Sequence, residues 1–89
     1  MRKNEIVLSE RFLGDMSNIN SFAVVQHVRK LLDNLASFPN MGRAAESRTL
    51  VGRFGEGVRT LVCGNYLFVY VYEGDVVKVL ALYPARLVR

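Results

Sequence analysis

Arginine is the residue type through which this 89-residue chain could do chemistry: nine of its twelve basic side chains are arginine. A guanidinium presents a rigid fork of donors, suited to bidentate contact with a phosphate or a carboxylate. Together with a formal net charge of +4, this points to a nucleic acid or an acidic protein as partner. Arg48 and Arg53 stand in a stretch that also holds Gly52, Gly55 and Gly57. Residues 44 to 57 read as an irregular connection, either an arginine-lined binding loop or a plain surface crossing. Gly55-Glu56-Gly57 is not a phosphate loop, because the G-K-[ST] ending and the strand-to-helix setting are both missing.

Other reactive types are sparse. His27 has no second His, Cys or carboxylate at ligand spacing, so it reads as a structural helix residue rather than a metal ligand. Cys63 is the one cysteine, which excludes an internal disulfide and fits a small strand residue in the core. No cofactor and no metal are expected. The opening Met1-Arg2-Lys3-Asn4-Glu5 is charged and is not followed by the apolar stretch of a leader. No apolar run approaches the roughly 18 residues of a membrane span, so the expected location is the cytoplasm, with no membrane partner. Half the chain is apolar, 51%, enough to fold, and the length fits one domain over residues 1–89.

The elements that must position these side chains are legible from period and punctuation. Glu5-Ile6-Val7-Leu8 is a short strand candidate. Ser9 is a plausible N-cap, and Phe12, Met16 and Ile19 recur at helical spacing, predicting a helix over 10–19 that Gly14 weakens. Val24, Val25, Val28, Leu31, Leu32 and Leu35 make one apolar face, with Gln26, Arg29, Lys30, Asp33 and Asn34 opposite, predicting a helix over 22–37 that stops before Pro39. Phe38 to Arg43 is a turn. Val58–Cys63, Tyr66–Tyr72 and Val76–Tyr83 are β-rich runs separated by Gly64-Asn65 and Glu73-Gly74-Asp75, an antiparallel meander. Such a meander needs a second layer on one face, and the apolar stripe of residues 24–35 is the candidate. Tyr66, Tyr70 and Tyr72 alternate along one face of the middle strand and read as core and edge packing.

This order resembles the RelE/ParE superfamily of bacterial type II toxins, known in many members as plasmid-stabilisation proteins. Asp15-Met16 sits where the family's first helix often has Asp-Leu. Leu35-Ala36-Ser37-Phe38-Pro39-Asn40-Met41-Gly42-Arg43 is similar to the helix ending L-x-x-F-P-x-x-G-R. Gly57-Val58-Arg59 resembles the G-x-R that opens the second strand, and Gly64-Asn65-Tyr66-Leu67-Phe68-Val69-Tyr70 resembles G-x-Y-x-I-x-Y. Leu82-Tyr83-Pro84-Ala85-Arg86 is similar to the closing H-x-x-R, with tyrosine for histidine. The resemblance covers about residues 5 to 86. It implies an α+β fold: a short N-terminal strand, a helical hairpin packed on a small antiparallel sheet, and a C-terminal three-stranded meander.

The resemblance implies a growth-inhibiting toxin held in check by a cognate antitoxin, expected as a small acidic protein. RelE-type members cleave messenger RNA on the ribosome, whereas ParE-type members poison DNA gyrase without cleaving RNA. RelE-type cleavage is the first expectation here; gyrase inhibition and a degenerate, inactive toxin are the alternatives. Whether the chain is an enzyme, an endoribonuclease, stays open. By resemblance, Arg59, Tyr83 and Arg86 are the candidate catalytic residues, the arginines to hold phosphate and Tyr83 to move a proton or stack on a base. Arg43, Arg48 and Arg53 are the candidate RNA- or target-binding residues. The helical hairpin is shorter than typical for ParE and closer to RelE, whereas Leu67 follows the strand tyrosine as in ParE, where RelE members often place arginine. The chain also lacks their lysines before the second strand and the C-terminal tail with a catalytic tyrosine, for which Tyr83 is the nearby substitute.

Overall fold

The structure, a computed structural model, describes residues 3–87. Met1, Arg2 and Arg89, parts of the charged start and of the chain's last residues, lie outside the described residues. The chain runs β1 (Glu5–Leu8), α1 (Glu10–Ser17), α2 (Phe22–Ser37), β2 (Arg43–Ala44), α3 (Arg48–Phe54), β3 (Arg59–Cys63), β4 (Tyr66–Glu73), β5 (Val76–Pro84) and a 3₁₀ turn, Ala85–Leu87. The strands form one sheet in the order β1-β5-β4-β3-β2, with β1 parallel to β5 and the other pairs antiparallel. The α+β arrangement anticipated from the sequence is present, helical hairpin and meander included. No helix among the described residues is long and apolar enough to cross a membrane.

Each helix begins at a serine. The Oγ of Ser9, Ser21 and Ser47 accepts a hydrogen bond from the N–H of Phe12, Val24 and Leu50 respectively, satisfying one of the free amides of each first turn. Both hairpins turn on a glycine at the first of two loop positions, Gly64 (φ 61°) and Gly74 (φ 59°), a left-handed value that glycine adopts without a Cβ clash.

The sheet is apolar on both faces, and both are covered. On one face Phe12 of α1 and Val28, Leu31 and Leu35 of α2 pack on Cys63, Phe68, Tyr70, Val77, Val79 and Leu82. The stripe expected to cover the meander does so, with Val24 and Leu32 partly buried at its margin, while His27 is exposed. On the other face Leu50 packs on Val58, Val69 and Ala81, with Val51 and Phe54 beside it. This corrects the reading of residues 44 to 57 as irregular: Arg48–Phe54 is a helix. Gly52 and a length of only seven residues leave it without a clear helical period. Leu50, Val51 and Phe54 nevertheless share one side of two turns, and burial of that side on the sheet offsets the weak local propensity. The first helix also ends earlier than expected, at Ser17, with Asn18 as its C-cap.

Two irregularities position the functional half. The register runs Tyr70↔Val79 and then Val69↔Ala81, so Leu80 is an extra residue in β5, a bulge. Bulges invert the alternation beyond them: Val77 and Val79 face the α1/α2 side, but so does Leu82, and Tyr83 faces α3. Past Leu8, β5 loses its strand partner and α1 takes over the edge. The Ser9 N–H donates to Val79 O at 3.0 Å, its hydroxyl donates to Leu80 O at 2.8 Å, and the Leu82 N–H donates to Asp15 Oδ2 at 2.9 Å.

Candidate functional site

Tyr83 is the centre of a basic and aromatic cluster built by three elements. The Leu80 bulge turns it toward α3, where Arg53 Nη1 donates to its hydroxyl at 3.1 Å and the Phe54 ring lies 6.4 Å from its own, centroid to centroid. From α1, Arg11 sets its guanidinium carbon 4.8 Å from the Tyr83 ring centre, a cation–π distance. Arg11 Nε stands 4.0 Å from Asp15 Oδ2, one helical turn on, and that carboxylate is anchored by the Leu82 N–H. The cluster therefore sets two arginines against one tyrosine, one at its hydroxyl and one over its ring.

Arg53 and Tyr83, both singled out from the sequence, are brought together. Arg11 and Phe54 were not foreseen. Arg11 has a faint signal, its i,i+4 spacing from Asp15; Phe54 has none while its segment is read as a loop.

Arg59 stands elsewhere. It lies opposite Tyr70 in register and so shares the α1/α2 face, across the sheet from Tyr83. Its guanidinium turns inward to the loop before β2: Nε and Nη2 donate to Gly42 O at 3.2 and 2.7 Å, and Nη2 donates to Asn40 O at 3.2 Å. Arg43, on β2, lines an open cleft with Arg59, Thr60 and Glu46. Arg48 is the exposed first residue of α3. Arg86, exposed in the 3₁₀ turn, lines a second open cleft with Asn65 and Tyr66 of the β3–β4 hairpin. The side chains of Arg43, Arg48 and Arg86 make no hydrogen bond or ion pair among the described residues. Tyr70, by contrast, is fully buried, and Tyr66 and Tyr72 pack on the same core. Cys63 is buried too, and burial pushes its thiol pKa above the ordinary value of 9.0.

A five-stranded sheet with a helical hairpin on one face and a C-terminal meander defines a RelE/ParE-like protein. The family model for the ParE toxin of the type II toxin–antitoxin system parDE matches residues 6–86, and the chain belongs to that family. It is the toxin component of a type II toxin–antitoxin pair, and an antitoxin is its partner. No curated protein matches the chain.

Proposed function

We propose that this toxin arrests growth by binding DNA gyrase without cleaving anything, the ParE-type mode, rather than by cutting messenger RNA. The observation that carries this reading is the separation of Arg59 from Tyr83. Phosphodiester cleavage needs a phosphate-holding cation and a proton-transfer group converging on one atom. Here Arg59 and Tyr83 lie on opposite faces of the sheet, Arg59 directs its fork to the carbonyls of Asn40 and Gly42, and the arginines that do meet Tyr83 are engaged by it, Arg53 at its hydroxyl and Arg11 over its ring. Asp15, the carboxylate beside Arg11 in this cluster, already accepts from the Leu82 N–H. Binding needs no such convergence. It needs exposed arginines with free forks, and Arg43, Arg48 and Arg86 supply them. The antitoxin then acts by covering this surface, and a small acidic chain suits it.

The experiment pairs two measurements on one induction. Purified toxin is added to a gyrase supercoiling reaction, and messenger RNA 5′ ends are mapped after the toxin is induced without its antitoxin. Loss of supercoiling with unchanged 5′ ends is expected. New 5′ ends at ribosome-engaged codons, with supercoiling intact, would restore the RelE-type mechanism. Normal growth with abundant folded toxin would mean a degenerate chain.

A further inference from the structure

The loop from Phe38 to Gly42, between α2 and β2, is held from beneath and bare on top. Two residues of the sheet brace its main chain. The Tyr70 hydroxyl donates to Pro39 O and accepts from the Gly42 N–H, both at 2.9 Å. Arg59 adds its three donations to Gly42 O and Asn40 O. The Met41 N–H closes the turn on Phe38 O at 3.2 Å. Yet the two large apolar side chains of the loop point to water, Phe38 being 60% and Met41 40% exposed. The ordering of a loop is ordinarily offset by burying its side chains. Here polar groups order the backbone, and the apolar side chains are left over.

We propose that this loop is a rigid interaction knob, and that Phe38 and Met41 enter an apolar socket with an acidic rim on the folded protein the toxin inhibits. The inference rests on the reading of the chain as a binding inhibitor and names the surface that does the binding. Aromatic, methionine and arginine side chains are the types enriched in interface cores. Arg43, one residue beyond Gly42, is exposed, its side chain has no partner among the described residues, and it supplies the charge that an acidic rim would meet. A braced loop loses little conformational freedom on docking, an advantage realised against a pocket that is already formed. An antitoxin segment that folds as it binds has no such pocket to offer. A nucleic acid is the poorer fit, because Arg59 turns its phosphate-binding fork inward and two apolar side chains occupy the tip.

The test compares wild type, the double variant Phe38→Ser/Met41→Ser and Arg59→Lys. Each is followed by growth on induction, by supercoiling inhibition, by antitoxin affinity and by thermal unfolding. The double variant changes only exposed side chains and is expected to unfold at the wild-type temperature and to keep its antitoxin affinity. Its half-inhibiting concentration against gyrase should rise by about tenfold or more, with growth arrest relieved. Arg59→Lys keeps the charge and removes the fork; amide exchange at Met41 and Gly42 should quicken and inhibition should weaken. Full growth arrest by the double variant overturns the proposal, as does a loss of antitoxin affinity equal to the loss of inhibition. Undiminished inhibition by an Arg59→Lys protein with quickened exchange overturns the role of rigidity. A wild type that arrests growth yet leaves supercoiling intact refutes gyrase as target, while growth of the double variant still judges the loop. A wild type that arrests nothing overturns both.

Discussion

The Tyr70 hydroxyl and the Gly42 nitrogen lie 2.9 Å apart, and a Cβ on Gly42 would fall 2.6 Å from that same oxygen and 2.9 Å from the carbonyl oxygen of Thr60. Glycine is required here for close approach, since its φ is not in the left-handed region. Gly42→Ala should therefore destabilise the protein by about 1–3 kcal/mol through overpacking. Tyr70→Phe should cost about 1–3 kcal/mol by leaving a buried N–H without its acceptor. The two losses should not add, because removing the hydroxyl relieves part of the clash. Urea unfolding of both single variants and the double checks this. Strict additivity would mean that the loop moves away from Tyr70 in solution.

The α2 stripe makes a second prediction. Leu31 and Leu35 are buried between α2 and the sheet, whereas Phe22, on the first turn of the same helix, is 78% exposed. Leu31→Ala should cost about 2–5 kcal/mol, and Phe22→Ala should stay within about 0.5 kcal/mol. A loss below that size at Leu31 would remove α2 from the core.

These contrasts show what the sequence carries and what it does not. The α2 boundaries were legible because sixteen residues repeat one apolar face and a proline follows. The meander was legible because its turns carry glycine where a positive φ is needed. The helix over Arg48–Phe54 was not, since two turns give too few repeats for a period to emerge; Ser47, three residues before Leu50, was its one overlooked mark. The bulge at Leu80 was invisible as well. Nothing local distinguishes Val79-Leu80-Ala81 from regular strand, and the face on which Tyr83 lies depends on it. The individual arginines were readable as types. Arg59 turning inward and Arg11 reaching Tyr83 are consequences of tertiary packing alone.

The edge of β5 supplies a third prediction. Asp15 accepts the Leu82 N–H where no strand is alongside. Asp15→Ala should cost about 1–2 kcal/mol by leaving that amide unpaired. It should also quicken hydrogen exchange at Leu82 more than at Val69 in the sheet centre. Equal protection at Leu82 in both proteins would show that water or another group replaces the carboxylate.

Cys63 gives a prediction with a pH sign. Burial raises its pKa above 9.0 in the folded state, so the folded protein holds the thiol proton to higher pH than the unfolded chain does. Above about pH 9 the unfolded state then binds fewer protons, and stability falls as pH rises toward the folded pKa; below that range the effect is absent. Cys63→Ala should lower stability at pH 7 by about 1–2 kcal/mol through the small cavity, and decline less steeply in alkali than wild type. Labelling of the native thiol at pH 8 should run roughly a hundredfold slower than in denaturant, because it requires opening. Equal rates in both states would mean that the β3 end frays.

The last prediction concerns how the antitoxin arrives. Arg43, Arg48 and Arg86 are exposed, and none of their side chains has a hydrogen-bonding or ionic partner among the described residues. The whole chain carries +4. Exposed charges of one sign act on an oppositely charged partner over about a Debye length, roughly 10 Å at 0.1 M salt and 3 Å at 1 M. They speed the encounter more than they tighten the complex, since close apolar contacts set the rate of release. An acidic antitoxin should therefore associate about tenfold or more slowly as salt rises from 0.05 to 0.5 M, with dissociation nearly unchanged. Arg48→Glu should slow association at low salt and converge on wild type at high salt. Stopped-flow mixing with the purified antitoxin measures both. An association rate indifferent to salt would show that the partner reaches the toxin away from its arginines, and that their free forks serve the target alone.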